Sequence, residues 1–398
     1  MVGVQKETLW SRDYILLIVM GALTSTGFYM VNPCIAKYAV STGATVAVAG
    51  VITGLFSITA LVARPVSGLM ADRLNRRLLL TAATAVLALS ALSYSFAGTV
   101  PLLVAVRIVH GIAFAVSGTV NVALIATLVP RTRLSEGVGY YGLANIFATA
   151  IGPSLGLGIG EAMGFQISFI ISSIVIACGL ILSLFIHVKS PAQLPGRRGI
   201  HLEDLISLRV LPLAILGGIF SMSNGIITSY LALLGDIRGI AGISVYFTLN
   251  ALVLLFIRPF AGKLADRKGA KAIVYPAMLL DCLALCLIGT AGSLGMILAA
   301  SVCKAVGQGS GQLTLQSEAL KSLPPEKSGV ASSTFYIGGD VGQGLGPMLA
   351  GQAVDSLGAG SKGYGVMFCG SGCVFLLGIL GYFVYYKLEK RSSCQNGV

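Results

Sequence analysis

Long apolar stretches recur along the chain, each about one bilayer thickness long as a helix, and short polar segments separate them. They fall near 13–37, 44–71, 77–97, 101–128, 136–161, 165–188, 210–234, 242–265, 272–290, 294–320, 329–353 and 364–387. A helix needs about 20 consecutive apolar residues to cross the hydrocarbon core. The pattern therefore predicts an all-α membrane protein with twelve transmembrane helices. The first run, Tyr14 to Cys34, is too long for the apolar region of a signal peptide and has no small-residue cleavage site after it. It reads as a retained first span.

Composition agrees with the pattern and narrows the class. Of 398 residues, 55% are hydrophobic and only 11% are charged. A soluble enzyme or a disordered chain needs many more charges on its surface. The net charge of +12 has to be explained within a membrane protein, and the placement of the basic residues does so. Of 27 Lys and Arg, 20 fall in the termini and in the segments that an even span count puts on one side. By the positive-inside rule that side is cytoplasmic, so both termini are expected in the cytoplasm and the protein in the cytoplasmic membrane. The basic excess is an orientation signal, and no nucleic-acid partner is needed. Cys282 with Cys286 and Cys369 with Cys373 have helical spacing, but neither pair has the further ligands of a metal site. They are read as packing groups, and no metal or cofactor is expected.

The chain repeats itself. Arg64-Pro65-Val66-Ser67-Gly68-Leu69-Met70-Ala71-Asp72-Arg73 matches Arg258-Pro259-Phe260-Ala261-Gly262-Lys263-Leu264-Ala265-Asp266-Arg267 at an offset of 194. Pro130 matches Pro324, and Gly152-Pro153 matches Gly346-Pro347, at the same offset. Three separated anchors on one offset imply two copies of a six-helix unit. The expected division is 1–190 and 209–398, joined by a polar linker at 191–208 that holds Pro191, Pro195, Arg197 and Arg198.

Three motifs carry chemistry. In the first, Arg64, Gly68 and Asp72 share one helix face, and Arg73 and Arg76 follow. A carboxylate at a helix C-terminus opposes the helix dipole, so Asp72 needs a partner or another helix's N-terminus. In the second, Arg107 and His110 sit inside the fourth span, where a cation must face a wet cavity or a partner. The third places Gly139, Ala148, Gly152, Pro153 and Gly156 on the fifth span, where proline bends and glycine permits close packing.

These residues resemble the signatures of the major facilitator superfamily, over nearly the whole chain. That fold has two pseudo-symmetric six-helix halves in parallel orientation. The loop signature runs Gly-x-Leu-Ala-Asp-Arg-x-Gly-Arg-Lys, and this chain has Asn75 where glycine is usual. Asparagine tolerates the left-handed conformation, so the turn is expected to survive. The resemblance implies that Gly68, Asp72, Arg73 and Arg76, with Asp266 and Arg267, form a conformational latch. It implies a proton-coupling role for Arg107, with His110 replacing the family's glutamine. The Gly152-Pro153 and Gly346-Pro347 bends resemble the antiporter motif and favour export.

Two carboxylates lie well inside spans, Asp281 in the ninth and Asp340 in the eleventh. Asp340, among glycines and Gln343, is the first choice for a proton or substrate carboxylate. Asp281 is open between that role and a structural pair. The resemblance makes the first, fourth, seventh and tenth spans cavity walls. They offer Tyr29, Asn32, Asn121, Asn224, Tyr230, Lys304, Gln308 and Gln312 as substrate contacts. Lys304, Gln308, Gln312 and Gln316 form one stripe, and lipid would leave its amides unsatisfied.

The sequence therefore points to a secondary transporter, one that uses proton antiport and alternating access to export small organic molecules or drugs as a single chain. Uptake of a metabolite on the same fold is the alternative. A membrane sensor or enzyme is a weaker reading, since no catalytic constellation is present.

Overall fold

The computed structural model describes residues 9–44, 46–188, 201, 204–358 and 360–395. Twelve helices follow in order: α1 (Arg12–Ser41), α2 (Val46–Arg73), α3 (Arg76–Tyr94), α4 (Val100–Leu128), α5 (Leu134–Met163), α6 (Phe165–Ser183), α7 (Leu211–Arg238), α8 (Ser244–Lys268), α9 (Lys271–Thr290), α10 (Leu294–Lys321), α11 (Ser328–Leu357) and α12 (Ser361–Gln395). They coincide with the twelve apolar stretches. The repeat reaches the connections too, because one-turn 3-10 segments, Arg131–Arg133 and Pro325–Lys327, precede α5 and α11 at the same offset.

Local chemistry sets the ends. Ser11 caps α1 by accepting from the Tyr14 amide at 3.2 Å. Prolines occupy the first turns of α4 and α7, where an amide hydrogen is not needed. Gly239 ends α7 in the left-handed region at φ 66°.

Ten helices are long and apolar enough to span a membrane among the described residues. The two outside that group are α10, with its lysine and glutamine stripe, and α11, rich in glycine and carrying Asp340. Their polar faces have to point away from lipid. Large apolar side chains cover the outside instead, such as Val62 at 72% exposure and Leu377 at 67%. That surface suits lipid and would be unsustainable in water.

The chain separates into two compact units. One comprises the described residues of Met1–Ile206 with Leu323–Ser333, and the other comprises Ser207–Ser322 with Thr334–Val398. In the first, α1 packs on α5 and α6, α2 on α4, and α3 on α4 and α6. In the second, α10 packs on α8 and α9, and α12 on α7 and α9. The corresponding helices make corresponding pairs, as the repeat requires.

One expectation is corrected. Asn75 is not left-handed: its φ is −63°, and no residue other than glycine has a positive φ among the described residues. The turn survives by capping. The Asn75 side-chain oxygen accepts from the Arg77 and Leu78 amides at 3.0 and 3.2 Å and starts α3. The second copy has Gly269 at that position, and there φ is 81°.

Candidate functional site

The loop signature builds a clasp inside the first unit. Asp72 ends α2, and its carboxylate accepts from the Gly329 amide at 2.6 Å and the Val330 amide at 2.9 Å. These are first-turn amides of α11, which have no acceptor within their own helix. The positive end of that helix supplies what the end of α2 opposes. Gly329 and Gly68 allow the approach: a side chain on Gly329 would fall 2.5 Å from the Gly68 carbonyl oxygen and 2.6 Å from the Asp72 carboxylate, and one on Gly68 would strike the Ser333 side chain.

Arg76 completes the clasp. Its Nη2 donates to Asp72 at 3.0 Å and to the carbonyls of Pro325 and Glu326 at 3.1 and 3.3 Å. Nη1 donates to Thr127 at 2.7 Å, and Nε donates to the Ala71 carbonyl at 2.8 Å. Arg73 turns elsewhere, to Asp204 at 2.9 Å. Asp204 lies outside every motif, and its sequence gave no signal of this contact. The second copy is wired differently. Ala270 stands where the first copy has Arg76. Asp266 pairs with Lys321 at 2.9 Å, Lys321 also reaches Glu318 at 3.4 Å, and Arg267 is exposed.

Arg107 is fully buried on α4. Its Nη2 donates to the Asn32 side-chain oxygen at 2.7 Å and its Nε to the Ile52 carbonyl at 3.3 Å. The guanidinium lies 4.6 Å from the centre of the Phe56 ring, a cation–π contact. Nη1 has no hydrogen-bond partner. One turn on, His110 is also fully buried, with Nδ1 3.1 Å from the Tyr94 hydroxyl and Nε2 without a partner. Tyr94 is an unanticipated member of this group, since nothing in the sequence distinguishes it from a packing tyrosine.

The second unit holds a buried ion pair. Lys304 of α10 donates to Asp281 of α9 and to Ser223 of α7. Both charged side chains are essentially unexposed. Ser223 also donates to Asp281 at 3.4 Å. Gly307 makes the room, because an added methyl group there would strike the carboxylate and the Ala277 carbonyl. So Asp281 is paired, and Lys304 turns into α9 rather than continuing the half-buried glutamine stripe. Gln308 donates to Gln312 at 3.3 Å, and Gln312 donates to Ser221 of α7 at 3.0 Å.

The remaining candidates are spread over both units. Asp340 is half-buried on α11. Asn224 reaches Gln343 at 3.4 Å, and Tyr230 donates to the Pro347 carbonyl at 2.8 Å. Asn121 is buried and donates to Ser117 at 3.4 Å. Tyr29 and Asn32 are half-buried on α1. The two Gly-Pro bends do the same work in each unit. A side chain on Gly152 would lie 2.6 Å from the Tyr29 β-carbon, pressing α5 on α1. One on Gly346 would lie 2.7 Å from the Met222 γ-carbon, pressing α11 on α7.

Comparison with known proteins fixes what this architecture is. Residues 17–347 and 213–396 match the sequence profile of the Major Facilitator Superfamily. An uncharacterized MFS-type transporter of Methanocaldococcus jannaschii is 27% identical over 350 residues, covering 84% of this chain and 89% of its own. The multidrug resistance protein MdtG of Serratia proteamaculans is 26% identical over 407 residues, covering 96% of this chain and 95% of its own. Among solved structures, a bacterial homologue of the iron transporter ferroportin in its outward-facing state superposes with a TM-score of 0.78 at 13% identity, over 95% of this chain and all of that one. At that identity the likeness carries the fold alone. With its profile matched from end to end, the chain belongs to the Major Facilitator Superfamily and is a multi-pass membrane transporter of small solutes, not an enzyme.

Proposed function

We propose that the protein exports small organic molecules across the cytoplasmic membrane in exchange for protons, by alternating access of the halves 1–190 and 209–398, which the linker 191–208 joins. The carrying observation is the buried Asp281–Lys304 pair. A carboxylate at membrane depth is costly to leave charged and alone. When Lys304 moves away, Asp281 takes a proton, and when Lys304 returns the proton leaves. Each inward proton moving down 100 mV releases about 2.3 kcal/mol. Asp340, Arg107 and His110 are the other groups assigned to the proton path.

Export is favoured over uptake by two things. The Gly152-Pro153 and Gly346-Pro347 bends fit the antiporter pattern, and the relatives named MdtG are multidrug resistance proteins. The solute meets Tyr29, Asn32, Asn121, Asn224, Tyr230, Gln308 and Gln312 in this reading, a blend of amide and aromatic groups suited to mixed organic bodies. The Asp72–Arg76 clasp, with Arg73, biases one state of the cycle. Both termini are cytoplasmic, and one chain suffices. Direction is tested with proteoliposomes of known orientation: solute should leave the cytoplasmic side against its gradient when the opposite compartment is acid. Solute entering the cytoplasmic side with protons would overturn export in favour of uptake.

A further inference from the structure

The two units treat their buried cations differently. At the offset of 194, His110 corresponds to Lys304, Leu87 to Asp281 and Tyr29 to Ser223. The second unit neutralises its cation with Asp281, held inside the core. On the matching stretch of α4 the first unit holds Arg107 and His110, and it has the buried, apolar Leu87 where the acid would be. No carboxylate pairs with Arg107 among the described residues. A buried guanidinium without a counter-charge is expensive to hold in hydrocarbon, and neutral carbonyls, one amide and a ring offset that cost only in part.

Two nitrogens of this group have unmet hydrogen-bonding capacity. Arg107 Nη1 and His110 Nε2 are both buried without partners. The acceptor closest to the guanidinium is the neutral Asn32 oxygen at 2.7 Å, and Asn32 is only half-buried. That oxygen occupies the position a carboxylate oxygen would take. Aromatic rings gather beside Arg107 and His110: Phe56 and Phe28 pack edge-on against the His110 ring, and Phe28 stacks on Phe114 at 4.5 Å and packs on Phe56 at 5.0 Å. Planar carboxylates and guanidinium forks match in geometry.

We infer that the first unit binds an organic anion, an aromatic or otherwise apolar body whose carboxylate displaces the Asn32 oxygen and pairs with Arg107, with His110 as second donor. This rests on the reading of the chain as a carrier of organic solutes and names the chemistry of the solute. The bound anion supplies the charge that Asp281 supplies in the other unit.

The test is thermal stabilisation of the purified full chain by charge-matched probes: benzoate, 1-naphthoate and 4-phenylbutyrate, each against its neutral amide. A bound ligand raises the melting temperature by mass action. At least one carboxylate should bind about tenfold or more tightly than its amide, the worth of ~1.4 kcal/mol. Arg107→Gln should erase that preference, and Arg107→Lys should keep its sign. Asn32→Asp, which keeps the heavy-atom count and gives Arg107 an internal counter-charge, should also erase it, so the test survives an Arg107→Gln variant that fails to fold. Amides stabilising as well as acids throughout, or a preference that persists in Arg107→Gln or Asn32→Asp, would overturn the inference. Binding here does not depend on direction or coupling. Proton-driven export without anion preference would remove only this inference, and anion binding without proton-driven export would remove only the exporter reading.

Discussion

The clasp at Asp72 gives a prediction whose size can be worked from the structure. The perturbation is Asp72→Asn, isosteric and uncharged. In the native chain the carboxylate accepts two amide hydrogens of α11 and one from Arg76. Hydrogen bonds to a charged group are worth ~1.5–3 kcal/mol each, against ~0.5–1.5 for neutral ones. Asparagine keeps one acceptor oxygen, so the bonds from Gly329 and Arg76 lose about 1 kcal/mol each with the charge, while the Val330 amide then faces an NH2 donor and loses its bond, about 1 kcal/mol or more. Loss of the favourable interaction with the positive end of α11 adds ~0.5–1 kcal/mol. The clasped arrangement should weaken by ~3–4 kcal/mol, two to three orders of magnitude in its equilibrium. Hydrogen–deuterium exchange reads this directly. The Gly329 and Val330 amides lie in the first turn of α11 and have no acceptor within their helix, so their protection is owed to Asp72. Peptides spanning 323–335 should exchange slowly in the native protein and about 10²–10³ times faster at these amides in Asp72→Asn. Native amides that exchange without protection, or protection changed by less than about threefold, would refute the reasoning.

Three further outcomes follow from the packing. Asp281→Leu alone should destabilise by ~3–5 kcal/mol because it leaves the Lys304 charge buried and unpaired, Lys304→Met should cost less because Asp281 then takes a proton, and the double variant should recover most of the Asp281→Leu loss and still not transport. Equal, additive losses in unfolding measurements would contradict this. Tyr230→Phe removes the bond to the Pro347 carbonyl and should cost about 1 kcal/mol in reversible denaturation, and no change would mean that water replaces it. Gly156→Leu forces a side chain against the Met30 backbone and should destabilise by ~1–3 kcal/mol, with an unchanged melting temperature counting against the close α1–α5 contact.

How much of this was legible in sequence depends on what kind of group does the work. Lipid demands about 20 apolar residues per span, so ten helices among the described residues are apolar enough to be read from hydropathy, while α10 and α11 are legible as long apolar stretches interrupted by a few polar residues and matched to α4 and α5 by the repeat. The repeat was legible because prolines, glycines and the Asp-Arg step recur at one spacing. The clasp was half legible. Asp72 announced that it needed a partner, but that partner is a pair of backbone amides 257 and 258 residues away, and a backbone amide leaves no mark in sequence. At Asn75 the pattern points to the left-handed conformation that glycine adopts there, yet a side-chain cap starts the helix as well. Lys304 shares the helical spacing of the glutamine stripe, so spacing alone joins it to the stripe. Its length lets it reach Asp281 on α9 instead, with Gly307 leaving space. Tyr94 carried no signal, since a buried tyrosine without its histidine neighbour is ordinary packing.

The account turns on Asp281 as the exchanger of protons. The most direct measurement is pH-sensitive dye fluorescence inside proteoliposomes holding the purified chain, with an organic cargo added as a pulse. The native protein should move protons in the direction opposite to the cargo. Asp281→Asn should retain cargo binding, seen as thermal stabilisation, and move no protons. Proton movement at the native rate in Asp281→Asn would contradict the account.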